Sequence, residues 1–396
     1  MGRRIRVAHV IQTLAMGGLE QLVMRLCAAG SAFDVEPVVI TFLGGGALEA
    51  PLRKMGVDVI ALDEARGLSP RLLRRLGRAI AAVRPDVLHA HDLAAWVNAT
   101  VARGVPLPGR PAPRVVVTLH ETRVPERALR YAAMACAEGT GAVVACGEAV
   151  RSVTASWLPR GVPLRVIGNG VPLPLLEGSE GDRARSAARE RLARALEVRG
   201  PLPMGIWIGY LGRLEEEKGT DVLVEAFLQA FRTPLGKRLV GDDGLGPNLV
   251  LIGEGGLAGH LQRRAGAWLG RRIHFTGEVP DGAGLLPALD LYAQPSRREG
   301  RSLAMLEAMA AGLPSVAPKL EAVAEIHRDG ETALLVPPGD AKPVAEALRV
   351  LASSAPLRHR MGEAARRHVR AHSVEGMAAE YAALYREGLE AASAAE

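Results

Sequence analysis

The chain has 396 residues, of which 48% are hydrophobic and 23% charged, a composition typical of a globular protein with two domains. Its three cysteines are far apart in sequence and argue against a disulfide framework or a zinc site, and no apolar stretch is long enough to span a membrane. The net charge of +6 is uneven, because residues 1–170 hold 21 Lys and Arg against 13 Asp and Glu, which indicates an acidic partner such as a membrane surface or nucleic acid.

The N-terminal half alternates short Val-rich runs with helical patterns. The first run, 5–11, is interpreted as a buried strand and not as a signal peptide, because it is short and leads into Gly-Gly. Helical patterns follow at about 19–29 and 70–84, the latter with Leu on one side and Arg on the other. Further strand-like runs cover 35–43, 56–62, 86–91, 114–120, 141–147 and 164–171. This alternation predicts βαβ units and a mostly parallel sheet covered on both faces.

The segment 172–203 begins and ends in Pro-rich loop and carries a charged Arg/Ala/Glu helix, so we expect it to lie between two domains. A second series then starts with a strand at 205–214, a helix at 221–231 and a longer variable loop at 233–247. Its further strand-like runs cover 248–256, 272–279, 289–296, 313–319 and 333–340, and helices are predicted for most of the remainder. The sequence thus predicts an α/β protein of two doubly wound halves, in which ligands bind outside the carboxyl ends of the strands.

Several candidate binding residues follow predicted strands directly. Gly17 and Gly18 lead from the first strand into a helix, an arrangement that suits a phosphate at the free helix amides but is equally compatible with a tight turn. Arg213 and Lys218 span a strand end and a helix start in GRLEEEKG. They can grip phosphate oxygens, or they can belong to a surface ion-pair cluster with the three glutamates between them.

Three histidines lie at the ends of two other predicted strands. His120 follows a β-branched strand and should emerge at the binding edge, although a hydrogen-bonded core position is the alternative. His89 is interpreted as a structural residue facing a covering helix. His91 and Asp92 are interpreted as a hydrogen-bonded pair that shapes the following loop.

The stretch SRREGRSLAMLEAMAAGLP, 296–314, places two carboxylates on either side of a helix start. Ser302 is the predicted N-cap of a helix from about Leu303 to Ala311, which Gly312 then stops. Glu299 precedes the exposed amides and Glu307 lies just over one turn inside the helix. An anion on those amides would have one carboxylate on each side, and carboxylates bind hydroxyls rather than phosphate. The pattern therefore indicates a nucleotide sugar.

These motifs, in this order and spacing, resemble glycosyltransferase family 4, the retaining glycosyltransferases of the GT-B fold. The resemblance rests on EGRSLAMLEAMAAGLP together with GRLEEEKG, MGGLEQLV, IGNGV and GETALLVPPGD, and it covers the whole chain. It implies two Rossmann-like domains facing a central cleft that closes over the ligand. The domains implied are 1–175 for the acceptor and 204–374 for the nucleotide sugar. Between them lies 176–203, and a C-terminal helix, 375–396, packs back on the first domain.

The resemblance also implies roles for individual residues. Glu299 would contact hydroxyls of the donor sugar and Glu307 the ribose, while the diphosphate would be bound by Arg213, Lys218 and the backbone amides of Ser302 and Leu303. Gly17 and Gly18 would approach the phosphate or sugar from the other domain, and His120 would lie near the O6 side of the sugar. The nucleobase would meet the backbone at Gly277, Glu278 and Val279. His120, Glu299, Arg213 and Lys218 are thus the residues implied to carry catalysis.

The activity implied is transfer of a hexose-type sugar, with retention, from a nucleotide diphosphate sugar to an acceptor hydroxyl in cell-surface polysaccharide, lipopolysaccharide or glycolipid synthesis. The donor would be UDP- or GDP-linked, the acceptor a sugar or a lipid-linked sugar, and no cofactor, metal or nucleic acid would take part. Asp242 and Asp243 are interpreted as solvated residues of the variable loop. Three features depart from the family pattern: Arg301-Ser302 replaces the frequent Phe-Gly, Cys146 replaces a frequent Ser, and the loop 233–247 is longer than expected.

The helix at 70–84 carries Arg71, Arg74, Arg75 and Arg78 on the side opposite its leucines. These arginines can form a solvated face, or they can face an anionic membrane or acceptor. We therefore expect a cytoplasmic protein that can associate with the inner face of the plasma membrane.

Two other function classes remain open at this point. A nucleotide-sugar epimerase or a phosphorylase could share the two-domain fold, and a degenerate transferase could act as a non-catalytic subunit. A dinucleotide-dependent oxidoreductase fits poorly, because no G-x-G-x-x-G follows the first strand of either half.

Overall fold

The computed structural model describes residues 3–65, 67–104, 111–174, 178–231 and 246–395. Asp242, Asp243 and almost all of the predicted variable loop lie outside these residues. The chain divides into two compact units, here called the first unit (Met1–Gly170 with Val374–Glu396) and the second unit (Val171–Ser373).

The first unit is a seven-stranded parallel sheet with the strand order β3-β2-β1-β4-β5-β6-β7. Its strands are β1 (Ile5–Ile11), β2 (Val35–Thr41), β3 (Asp58–Ala61), β4 (Val87–His91), β5 (Arg114–Leu119), β6 (Thr140–Ala145) and β7 (Leu164–Val166). Its helices are α1 (Gly18–Gly30), α2 (Glu49–Lys54), α3 (Pro70–Val83), α4 (Leu93–Ala102), α5 (Arg127–Cys136) and α6 (Glu148–Ala155), together with the C-terminal helix. Alternation of β-branched strands with amphipathic helices produces a parallel sheet, as the sequence predicted.

The second unit is a six-stranded parallel sheet with the order β10-β9-β8-β11-β12-β13. Its strands are β8 (Trp207–Leu211), β9 (Asn248–Ile252), β10 (Ile273–Gly277), β11 (Leu291–Ala293), β12 (Ser315–Pro318) and β13 (Ala333–Val336). Its helices are α7 (Gly178–Ala195), α8 (Thr220–Phe231), α9 (Ala258–Ala265), α10 (Leu303–Ala310), α11 (Glu321–Ala324), α12 (Ala341–Ser353) and α13 (Ala355–Val369). The C-terminal helix of the chain, α14, spans Val374–Ala395 and belongs to the first unit.

Helix α7 occupies most of the segment expected to lie between the domains, and it belongs to the second unit. Its few apolar side chains, Ala188, Leu192 and Ala193, are buried in the core of that unit. Arg185 adds an ion pair to Asp290 at 2.7 Å. A helix with little apolar surface can therefore still pack firmly when the few apolar residues share one side.

The sheet of the first unit is covered on one side by α3, α4 and α5. Buried side chains of all three helices, such as Leu76, Trp96 and Ala133, belong to a single core cluster. Among the described residues, no helix has both the length and the apolar composition needed to cross a bilayer.

Beneath α14, three buried histidines on β1 and β4 lie side by side. His9 Nδ1 is 3.0 Å from His91 Nε2, and His89 shares hydrogen bonds of 2.7 Å with the hydroxyls of Thr118 and Tyr385. Burial lowers the pKa of His9 to about 4 and holds the pKa of His89 and His91 well below the ordinary value. The three rings are therefore neutral in the folded protein, and His89 is the structural residue that the sequence predicted.

These lowered pKa values predict an acid-labile first unit. In the unfolded chain a histidine binds a proton below its ordinary pKa of 6.5, whereas His9 in the folded unit binds one only near pH 4. The free energy of unfolding should therefore be at its full value above pH 6.5 and fall as the pH is lowered towards 4, by at most about 1.4 kcal/mol per pH unit for each such histidine. Hydrogen exchange of peptides covering β1 and β4, corrected for intrinsic rates, measures this slope.

The matched variant is His9→Gln, which removes one of the titrating rings. It should be less stable than the wild type at pH 7, because His91 loses a partner, but its stability should fall less steeply as the pH is lowered. An unchanged slope in His9→Gln would contradict the explanation.

Candidate functional site

Helix α10 begins and ends as the sequence predicted. The Ser302 side chain accepts a hydrogen bond from the Met305 amide at 3.4 Å and caps the helix. Gly312 ends it with a φ of 73°, a conformation that favours glycine. The free amides of the first turn follow Ser302 directly. The N-terminus of α10, which is the positive end of the helix dipole, therefore lies beside Glu299.

Glu299 is 7% exposed, and its carboxylate is held by three residues from two segments. Lys218 Nζ lies 2.8 Å from Oε1 and 3.0 Å from Oε2. Oε1 also accepts hydrogen bonds from Gln294 Nε2 at 2.5 Å and from the Ser296 hydroxyl at 2.7 Å. Lys218 and Glu299 therefore form one paired group, although the sequence assigned them to different parts of a ligand.

Gln294 and Ser296 are functional candidates that sequence reasoning missed. The Tyr292 hydroxyl donates to Gln294 Oε1 at 2.5 Å, which leaves the Gln294 amide to donate towards Glu299. Tyr292 and Gln294 are both buried, and burial raises the pKa of Tyr292 well above its ordinary value, so it remains a donor. The available signal was the run of polar side chains directly after β11 in AQPS.

A second set of contacts fastens the Glu299 loop to the GRLEEEKG loop. Arg297 makes a bidentate ion pair with Asp221, with both N–O distances 2.7 Å, and its amide donates to the Glu217 carbonyl at 2.8 Å. Burial alone would raise the pKa of Asp221, but hydrogen bonds from Arg297 lower it below the ordinary value. Arg298 pairs with the Glu217 carboxylate. The two loops are thus held as one unit.

The GRLEEEKG loop shows the local contacts of its glutamates, while phosphate binding by Arg213 and Lys218 stays a prediction. Glu215 Oε1 accepts from the Gly256 amide at 2.9 Å, so the glutamates do serve as local fasteners. Lys218 joins Glu299, while the Arg213 side chain is exposed after β8 and its carbonyl accepts from the Tyr210 hydroxyl at 2.7 Å. Lys218 is thus a cation beside the start of α10, and Arg213 is an exposed cation at the carboxyl end of β8.

The other predicted residues of the second unit lie at the same carboxyl edge of its sheet. Glu307 is half-buried on α10. Gly277 ends β10 with a φ of 68° and lines a cavity of about 350 Å³ with Gly253, Glu254 and Thr276. Glu278 and Val279 follow it, and Val279 packs against the core.

In the first unit, Gly17 is the N-cap of α1 and Gly18 its first residue, which is the strand–loop–helix geometry expected. His120 follows β5 and is half-buried, and burial lowers its pKa to about 4. Its ring stacks at 6.4 Å on that of His91. His120 is therefore a neutral imidazole at the end of its strand.

The predicted pairing of His91 with Asp92 is wrong. His91 lies against His9, while Asp92 caps α4, accepting from the Ala95 amide and from Gln12 Nε2, both at 2.7 Å. An aspartate at a helix start gains more from the free amides than from a neutral imidazole that points into the core.

Arg301, which departs from the family pattern, is 10% exposed along its side chain and is directed into the second unit. It binds Glu325 Oε2 at 3.4 Å and His372 Nδ1 at 3.0 Å. Burial and Arg301 together lower the pKa of His372 to about 4, so this contact uses the neutral ring. Arg301 is a structural fastener between the Glu299 loop and the segment that precedes α14.

The four arginines of α3 differ in their surroundings. Arg71 and Arg75 both bind Glu64 Oε1, at 2.9 and 3.0 Å, whereas Arg74 and Arg78 are exposed. The leucines of the helix are buried in the core. Helix α3 thus presents mainly charge, partly neutralised, to the outside, with Ala82 exposed and Leu73 partly buried.

In the described part of the chain, ring nitrogens of His9, His89 and His91 lie close enough together to bind one metal ion. Both ring nitrogens of His89 are taken by hydroxyls, and His9 and His91 bind each other. Hydrogen bonds therefore occupy both nitrogens of His89, while His91 Nδ1 is buried without a partner among the described residues.

Comparison with known proteins gives two family matches. Glycosyltransferase Family 4 matches residues 16–174, and Glycosyl transferases group 1 matches residues 205–354, so together they cover more than three quarters of the chain. The chain is 33% identical over 225 residues to the lipopolysaccharide core biosynthesis mannosyltransferase LpcC of Rhizobium leguminosarum bv. viciae, covering 57% of this chain and 60% of that protein.

A second relative is the GDP-mannose-dependent alpha-(1-6)-phosphatidylinositol dimannoside mannosyltransferase of Mycobacterium tuberculosis. It is 34% identical over 184 residues, covering 45% of this chain and 43% of that protein. The chain thus spans about half the length of the curated relatives it matches. Among solved structures, HepE of Anabaena in complex with UDP superposes with a TM-score of 0.76 at 20% identity, covering 97% of this chain and all of that one. That likeness establishes the fold.

The contribution of the hydrogen bonds around Glu299 can be tested by measuring the free energy of unfolding. Gln294→Leu removes a donor from a buried carboxylate and should lower the free energy of unfolding of the second unit by about 1–3 kcal/mol. The matched control is Gln229→Leu on the exposed side of α8, where the lost hydrogen bond to Glu225 is at the surface, and it should change stability by less than about 0.5 kcal/mol. Urea unfolding followed by circular dichroism compares them, and equal small losses would contradict the assigned role of Gln294.

Proposed function

The chain belongs to glycosyltransferase family 4 and has the GT-B fold, and on that premise we propose that it transfers a hexosyl residue from a nucleotide diphosphate sugar to an acceptor hydroxyl with retention. The observation that carries this proposal is the arrangement of Glu299, Lys218 and the capped start of α10 in one buried network. It offers a hydroxyl-binding carboxylate next to a cation and free helix amides, which is the polarity of a sugar diphosphate.

In the proposed reaction, negative charge develops on the leaving diphosphate. Arg213, Lys218 and the amides of Ser302 and Leu303 stabilise that charge. Lys218 and the amides are held in place before the reaction begins by Glu299 and by the Ser302 cap. The Lys218 ammonium pairs with Glu299 and still has N–H groups that can donate to a phosphate. The same pairing holds the Glu299 carboxylate in position to accept hydrogen bonds from sugar hydroxyls. Glu307 binds the ribose, and the backbone from Gly277 through Glu278 to Val279 meets the base.

The remaining roles rest on the family resemblance. Gly17 and Gly18 carry no side chain, so the phosphate or sugar can approach the protein backbone closely there. His120, as a neutral imidazole, exchanges hydrogen bonds with a sugar hydroxyl. The proton of the acceptor hydroxyl passes to the leaving diphosphate in a front-face attack. The cations named above supply the positive charge, so the reaction needs neither a metal nor a cofactor in this proposal.

For the donor we propose GDP-mannose, and for the acceptor a lipid-linked sugar of glycolipid or lipopolysaccharide synthesis. The support is that relatives named as mannosyltransferases act in lipopolysaccharide core or phosphatidylinositol mannoside synthesis, one of them with GDP-mannose. A UDP-linked hexose is the second candidate, because the structural neighbour HepE is described with UDP and with UDP-glucose. The location proposed is the cytoplasm, at the inner face of the plasma membrane.

Nucleotide binding tests the donor site. GDP, UDP and ADP and their hexose derivatives should be screened by thermal shift, with GDP-mannose expected to stabilise the protein most. Lys218→Met removes a charged contact to the diphosphate and should weaken binding about 10- to 100-fold, and Glu307→Gln should also reduce the shift. Lys342→Met, an exposed lysine on α12, is the matched control and should bind as the wild type does. No shift with any nucleotide sugar would contradict the proposal.

The chemistry can be followed once a donor is found. Release of the nucleoside diphosphate should continue in excess EDTA, and NMR of the product should show the same anomeric configuration as the donor sugar. Release that stops in EDTA and resumes with added magnesium, or an inverted product, would contradict the mechanism.

A further inference from the structure

The second unit contains a cavity of about 650 Å³ at the end of α7, here called the α7 cavity. It lies between α7 and the segment that leads from α7 to β8, and its volume is that of an ordinary small-molecule site. The lining residues that matter below are Arg189, Glu190, Arg194, Val198, Pro201 and Leu202. None of them has a role in the donor site proposed above, so the α7 cavity is a separate feature of the unit.

Arg189 is a half-buried cation of the α7 cavity. One turn earlier on the helix, Arg185 pairs with Asp290 at 2.7 Å. Arg189 makes no such ion pair with any described residue, and its Nη1 donates to the Ala288 carbonyl at 3.3 Å. Burial and the charge of Arg185 lower the pKa of Arg189 below its ordinary value, although Asp290 acts in the opposite direction. A guanidinium in this position favours an anion beside it.

Arg194 adds a second cation to the cavity, and Glu190 adds a carboxylate. Both side chains are exposed, and they lie one helical turn apart. Guanidinium groups bind phosphate oxygens through paired N–H groups, whereas a carboxylate repels phosphate and accepts hydrogen bonds from hydroxyls. The α7 cavity therefore combines groups for a phosphate with a group for hydroxyls of the same molecule.

The last carbonyls of α7 are occupied within the chain. The Ala193 carbonyl accepts from the Val198 amide at 2.9 Å, and the Arg194 carbonyl accepts from the Glu197 amide at 3.0 Å. Free carbonyls at a helix C-terminus would disfavour an anion, because they carry the negative end of the helix dipole. Here these two carbonyls are already bound, so the arginine side chains can meet an anion at this end of the helix.

The turn that follows α7 forms part of two cavities. Val198 lines the α7 cavity, whereas Leu196 and Glu197 line the cavity of about 350 Å³ beside Gly277. Glu197 has a φ of 54°, a left-handed conformation that favours glycine, and the hydrogen bond to Arg194 holds it there. A ligand in contact with Val198 and Arg194 would therefore restrict the turn that also forms the wall near Gly277.

We propose that the α7 cavity binds a small phosphorylated sugar, with Arg189 and Arg194 on the phosphate and Glu190 on the hydroxyls. Binding orders the turn at 195–198 and thereby acts on the cavity beside Gly277. The site stands on the residues named above. Only its effect on the donor rests on the proposed function, which places the nucleobase at Gly277. The phosphorylated sugar is then an effector of the transferase and is distinct from its donor.

Isothermal titration calorimetry of the whole protein tests this site, with glucose 6-phosphate as the probe. It should bind with a Kd below about 1 mM, and glucose without the phosphate should not bind in this range. Inorganic phosphate should bind about tenfold more weakly than glucose 6-phosphate, because it lacks the hydroxyls that Glu190 accepts from. Arg189→Gln/Arg194→Gln should weaken binding of glucose 6-phosphate about 10- to 100-fold.

The matched control is Arg183→Gln, which removes an exposed arginine from the same helix outside the cavity and should bind as the wild type does. Lys218→Met should also retain binding, because Lys218 belongs to the donor site. Circular dichroism of each variant shows that it is folded. Unchanged binding by Arg189→Gln/Arg194→Gln, or loss of binding in Lys218→Met, would overturn the proposal. Equal binding of inorganic phosphate and glucose 6-phosphate would also overturn it, since the cavity would then hold an adventitious ion only.

Hydrogen exchange measures the effect on the neighbouring cavity. Glucose 6-phosphate should slow exchange in peptides covering 195–198 and 275–277 of the wild type, but not in Arg189→Gln/Arg194→Gln. Unchanged exchange in the wild type would overturn the coupling of the two cavities. Neither measurement uses a nucleotide, so a failed nucleotide screen would remove the proposed function and leave this site intact. A nucleotide shift without binding of glucose 6-phosphate would do the reverse.

Discussion

The second unit is constrained by the burial of one carboxylate, that of Glu299. An ionised group removed from water costs several kcal/mol unless it is paired and fully hydrogen-bonded. Lys218, Gln294 and Ser296 meet that requirement from the GRLEEEKG loop and from the end of β11. Since the same carboxylate precedes α10, satisfying it also fixes where the helix amides point. The bidentate pair of Arg297 with Asp221 holds the same two loops from the outside.

The sequence revealed what depends on local signals. Val-rich runs between amphipathic helices predicted both parallel sheets, and Ser302 with Gly312 predicted the bounds of α10. It could not reveal pairings between distant residues: Lys218 and Glu299 are 81 positions apart, and their separate patterns suggested separate roles. Asp92 was assigned to the wrong partner because its nearest neighbour in sequence, His91, points into the core. Roles towards a ligand remain predictions that binding experiments decide.

Amphipathic patterns are informative about the core and much less so about the outside. The pattern of α3 identified its buried leucines, but the arginines opposite them were read as a free basic face, and Glu64 binds two of them. Helix α5 exposes Tyr131 and Leu129, although large apolar side chains are more often buried. Helix α7 shows the converse, because a strongly charged segment is anchored by Leu192 and two alanines. Which side of a helix packs against the protein depends on the neighbouring elements, and the sequence of the helix alone does not reveal them.

The first unit is built from two stretches of chain, with the whole second unit inserted between them. Tyr385, which binds His89, follows it by 296 positions. During synthesis the seven strands of the first unit therefore leave the ribosome long before the helix that covers their histidines. The second unit is one continuous stretch and can close as soon as it has emerged. Translation thus completes the later-encoded unit first, which reverses the N-terminal-first order usual for proteins of several domains.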